Sequence, residues 1–172
     1  MSWWTTAIYD TCSLITLDKL LQERRSISRY FPKKVLALEV SLSADQMYSE
    51  TAERMSELVE ICPPPPLTKL ASLLSTSGLQ KSLSDVDKLV FATAVHTEIA
   101  VVTGDKRLAK AVRKHGQSVG NMALILQELV LTKKLGSSQI EKLLQSLADH
   151  KDYLLGIPNP TWSDLKGYKF PD

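Results

Sequence analysis

Ile99-Ala100-Val101-Val102-Thr103 is an unbroken apolar run rich in β-branched residues. It has no polar face to give to water, so it fits a strand covered on both sides, the condition of a central strand in a parallel sheet. Its neighbours agree. Upstream, Ser84 stands where a hydroxyl can cap a helix, and Leu89, Val90, Ala92, Thr93 and Ala94 make that helix apolar. Downstream, Gly104-Asp105 turns the chain into a basic helix over 106–115. A buried strand flanked by helices places the chain in the α/β class.

The rest of the chain reads the same way. Ala7 to Asp10 predicts a first strand, and Leu14, Leu17, Leu20 and Leu21 give the following helix its 3.6-residue spacing. Pro32 suits the first turn of a helix through Val35, Leu36, Leu38 and Glu39. A longer helix is predicted over 44–61, with Met47, Met55, Leu58 and Val59 inside, stopped by Pro63 to Pro66. A short helix follows over 67–74, and Ser118 to Asn121 predicts an edge strand. Residues 1–121 then form an α/β core, 122–150 a C-terminal helical hairpin packed on it, and 151–172 an irregular tail.

The chain has 172 residues, 44% hydrophobic and 23% charged, an ordinary globular composition with room for one core. It has no apolar run long enough for a membrane span and no signal-peptide pattern at its start. Cys12 and Cys62 are too few and too far apart for a metal cluster, and free thiols imply a reducing, cytoplasmic setting. His96, His115 and His150 are scattered. The net charge of +2 announces no nucleic-acid binder, so such binding has to come from local patches.

Four acidic stations carry the chemistry: Asp10, Glu39, Asp87 and Asp105. Asp10 and Asp105 each close an apolar run, at the end of a strand where parallel sheets place their sites. Each station also has a local explanation. Aspartate makes turns at strand ends, and Asp87, with Asp85 beside it, suits the first turn of a helix. Glu39 can sit exposed on its helix, with Asp45 or Glu50 as the carboxylate that matters instead. Converging carboxylates repel one another, and one or two Mg²⁺ or Mn²⁺ ions relieve this. Such ions activate water and neutralise a phosphodiester under in-line attack. Without a Cys/His cluster, zinc is disfavoured.

The motifs resemble the PIN-domain ribonucleases, the family that includes VapC-type toxins. The resemblance lies in Tyr9-Asp10-Thr11-Cys12-Ser13, in Glu39 some 30 residues on, in Asp87 opening an Ala-rich helix, and in Val101-Val102-Thr103-Gly104-Asp105. It covers about residues 7–121. It implies a three-layer α/β/α sandwich with a mainly parallel sheet, in which Asp10, Glu39, Asp87 and Asp105 hold Mg²⁺ or Mn²⁺. The implied activity is RNA cleavage, with Thr103 and Asp85 in support. One version makes the protein the toxin of a toxin–antitoxin pair, its groove covered by a cognate antitoxin, and a homodimer is common in the family. The alternative is a catalytically silent PIN-like module that binds RNA or protein. A phosphotransferase with Asp10 as nucleophile fits less well, because Cys12 stands where a second Asp is wanted.

Substrate needs positive charge near the acids. Lys106, Arg107, Lys110, Arg113 and Lys114 crowd the helix after Asp105 and read either as a phosphate track or as a solvated face. Arg24, Arg25, Arg29, Lys33 and Lys34 form a second basic stretch, and Trp3, Trp4 and Trp162 suit burial or base stacking.

Overall fold

Five short strands make one sheet: β1 (Ile8–Tyr9), β2 (Val35–Ala37), β3 (Val59–Ile61), β4 (Val101–Val102) and β5 (Val119–Gly120). They are drawn from a computed structural model that describes residues 2–78 and 83–171. Every pairing is parallel, in the order β3-β2-β1-β4-β5. Ile8 lies opposite both Leu36 and Val101, so β1 is central.

Helices fill the crossovers. α1 (Thr11–Glu23) joins β1 to β2, and α2 (Glu39–Leu42) with α3 (Ser49–Ser56) joins β2 to β3. The path from β3 to β4 carries α4 (Leu67–Ser77) and α5 (Asp85–Thr97), and α6 (Lys106–Lys114) leads to β5. The chain thus steps outward from β1 to β3, then returns past β1 to β4. That reversal opens a crevice beyond the carboxyl ends of β1 and β4. α7 (Met122–Leu131) and α8 (Ser137–Asp149) form the C-terminal hairpin.

Side chains alternate along each strand. Tyr9, Val102, Val35 and Ala37 join Leu14, Leu17, Ile125, Leu126 and Leu144 in one core. Ile8 and Val101 join Val90, Phe91, Leu108 and Val112 in the other. Helices therefore cover both faces of the sheet. No helix among the described residues is long and apolar enough to cross a membrane.

Three predicted elements differ. Residues 35–39 are not a helix: Val35 to Ala37 form β2, and only Glu39 starts α2. Leu and Ala favour helix, but Val35 and Ala37 are buried against β1 and β3, and pairing overrides propensity. The helix over 44–61 is two elements, α3 and then the edge strand β3, whose Val59 pairs with Val35. The tail is not wholly irregular: α9 (Trp162–Gly167) is capped by Thr161, whose side chain accepts from the Asp164 N–H. Residue 172 lies outside the described residues.

Candidate functional site

Asp10 follows β1 directly, and its N–H extends the ladder to the Val102 carbonyl at 3.1 Å. Its carboxylate caps α1, with Oδ1 accepting the Ser13 N–H at 2.7 Å. The Ser13 hydroxyl donates to the Val102 carbonyl at 2.9 Å, and Thr11 Oγ1 donates to the Ser41 carbonyl at 3.2 Å. The start of α1 is thus fastened to β4 on one side and α2 on the other. Asp10 is only 3% exposed. Burial pushes its pKa up to about 6; the nearby Asp87 charge adds to this, while Thr103 and Ser13 pull it back down.

Asp105 caps α6. Its Oδ1 accepts the N–H of Arg107 at 2.7 Å and of Leu108 at 3.1 Å. Its Oδ2 lies 3.6 Å from the Arg107 guanidinium. The fully buried Thr103 shapes this turn, its Oγ1 accepting the Asp105 N–H at 2.9 Å. Asp87 sits in the first turn of α5, where Ser84 Oγ accepts the Asp87 N–H at 3.1 Å and donates to the carboxylate at 2.6 Å.

These three carboxylates line one cleft of about 500 Å³. Its floor is Asp10, Thr11 and Cys12; the loop after α2 adds Ser43, Asp45 and Gln46; Ser84, Asp87 and Arg107 complete the rim. The donor set fits a hard divalent cation, since all the acids are oxygen ligands. Packing, and the charges of Asp10, Asp87, Asp105 and Asp152, push the Cys12 thiol up to about 12, although one side reaches solvent. No three His, Cys, Asp or Glu side chains among the described residues stand close enough to form a ready-made metal cage. A cation here would have to draw the carboxylates inward.

The sequence-predicted residues divide clearly. Asp10, Asp87 and Asp105 come together. Glu39 opens α2, is exposed, and is not among the lining residues, whereas Asp45 is. Asp85 faces solvent, paired with Lys88 at 2.8 Å, and this lowers its pKa. Of the basic helix only Arg107 lines the cleft; Lys106, Lys110 and Lys114 are exposed elsewhere on it. Arg113 is occupied by the tail, lying 5.0 Å over the Phe170 ring and donating to the Pro171 carbonyl at 2.6 Å. Arg24 and Arg25 lie at the far end of α1, about 20 Å from Asp10 by helical rise. Trp4 is buried, and none of the three tryptophans lines the cleft. Ser43 and Gln46 were not legible as site residues, because a loop wall carries no periodic signal.

No family model matches the chain, and no curated protein matches it. The fold is similar to that in the crystal structure of PAE2754 from Pyrobaculum aerophilum, with a TM-score of 0.54 and 13% identity over 74% of this chain and 98% of that one. At that identity the likeness speaks for the fold alone.

Proposed function

We propose that the cleft is the active site of a metal-dependent endoribonuclease of PIN-like type, hydrolysing RNA phosphodiester bonds. One observation carries the reading: Asp10, Asp87 and Asp105, from three separate elements, line one cleft at the reversal point of a parallel sheet. Bound Mg²⁺ or Mn²⁺ supplies charge neutralisation and a more acidic attacking water. Asp10, Asp87 and Asp105 would hold the cation, with Asp45 as the fourth lining acid. One of these carboxylates would also help to take the proton from the attacking water. Thr103 and Ser84 fix the orientation of Asp105 and Asp87. In the toxin version of this reading, an antitoxin segment covers the same cleft.

The alternative reading is a catalytically silent PIN-like module that binds RNA or protein. Incubation of mixed RNA with the protein in Mg²⁺, Mn²⁺ or EDTA separates the two. Metal-dependent cleavage that vanishes in Asp10→Asn and Asp105→Asn supports the nuclease. RNA binding without cleavage, unchanged by metal, supports the silent module. Within the nuclease reading, Asp45→Asn lowers metal affinity about tenfold or more, while Glu39→Gln leaves it within about twofold. The reverse order would return the fourth ligand to Glu39.

A further inference from the structure

Five basic residues follow Asp105 within α6, yet the cleft admits one of them. We infer that Arg107 is the phosphate-contacting residue of this site, held on Asp105 Oδ2 and transferred to the substrate phosphate when a divalent cation takes that oxygen. The inference rests on the nuclease reading above.

The two oxygens of Asp105 do different work. Oδ1 is committed to the helix through the N–H groups of Arg107 and Leu108. Among the described residues Oδ2 holds only the Arg107 guanidinium, at 3.6 Å. A cation drawn to Asp105 therefore competes with Arg107 for Oδ2 and leaves the cap intact. The Arg107 side chain is 69% exposed, and a loose, solvated pair of this kind costs little to break.

Charge gives the freed guanidinium a destination. Among the described residues, Asp10, Asp45, Asp87 and Asp105 line the cleft against a single cationic side chain. Four carboxylates outweigh one divalent cation by two charges, and Arg107 halves that deficit. A phosphodiester entering the cleft thus meets an acidic lining in which Arg107 is the one cationic side chain among the described residues. The guanidinium fork also matches two phosphate oxygens, which a lysine ammonium cannot do.

The test uses the full chain as wild type, Arg107→Ala and Arg107→Lys, with circular dichroism to establish folding. Mn²⁺ uptake is measured by calorimetry, and binding of a labelled single-stranded RNA by anisotropy with and without Ca²⁺. The expected result is that Arg107→Ala takes up Mn²⁺ at least as tightly as wild type. Its RNA affinity in Ca²⁺ falls about tenfold or more, the loss of a charge-assisted contact, and Arg107→Lys recovers part of it. Wild-type RNA affinity in Arg107→Ala, or a loss of its Mn²⁺ uptake, would overturn the assignment alone. A wild type that takes up neither Mn²⁺ nor RNA would overturn the nuclease reading with it.

Discussion

Asp10 is a carboxylate kept where water barely reaches, and the fold bears the cost of its charge. The folded protein holds the Asp10 proton up to about pH 6, against an ordinary value of 3.8. Between those values the unfolded chain has released its proton and the folded one has not. Stability therefore falls as pH rises from about 4 to about 6, and above that the full cost persists, roughly 3 kcal/mol at neutral pH. Asp10→Asn removes the charge and keeps a side-chain oxygen for the Ser13 N–H. This variant should be more stable than wild type in urea unfolding above pH 6, with the gain shrinking towards zero below pH 4. A pH-independent difference would mean that Asp10 is not the titrating group. Under the nuclease reading, the same residue makes metal uptake rise with pH through about 6. The destabilising charge is then retained for what it binds.

The elements differ in how much of themselves they show in sequence. β4 is legible because an apolar run covered on both faces has few other places to go, and the strand it forms is interior, paired with β1 on one side and β5 on the other. The acid turns at Asp10 and Asp105 were legible for the same reason, since each closes such a run. β2 and β3 were not. Three residues are too few to display a period of two, and Leu36 and Ala37 argue locally for helix, so only pairing, of β2 with β1 and of β3 with β2, defines them. The sequence does not separate Asp45 from Glu39, because the direction of a loop residue depends on how α2 and α3 pack. The edge strand β5 offers a test at this scale. A Cβ built on Gly120 would lie 2.5 Å from Trp3 Cη2, so the glycine exists to let the indole sit on the strand. Gly120→Ala should lower stability by about 1–3 kcal/mol through overpacking. Gly104→Ala, beside Asp105, meets nothing within 4 Å and needs no left-handed backbone, so it should be close to neutral. Equal effects in thermal unfolding would contradict this account of β5.

At the scale of the whole molecule, the C-terminal quarter braces the helix that carries Asp10. Asp152 accepts from Thr16 Oγ1 at 2.8 Å and pairs with Lys19 at 3.2 Å, and Ser146 donates to Glu23 at 2.7 Å, so α8 and the turn after it are tied along α1. α9 is tied in turn to α7. The Gln127 amide donates to the carbonyls of Leu165 at 2.8 Å, Lys166 at 3.0 Å and Tyr168 at 3.1 Å, and Asn121 donates to the Tyr168 hydroxyl at 2.7 Å. Leu165 is the apolar anchor of this strap, fully buried in the core shared by α1, α7 and α8. Its loss should be felt in stability and not in chemistry, because it touches the bracing and none of the cleft lining. Leu165→Ala leaves a cavity worth about 3 kcal/mol, or roughly 6–12 °C in Tm for a chain of this size. Under the nuclease reading, Mn²⁺ uptake per folded molecule below the new Tm should match wild type. If metal affinity drops together with stability at low temperature, the strap positions the Asp10 end of α1 directly; if only Tm moves, the C-terminal quarter holds α1 in place and the cleft geometry is set by the sheet.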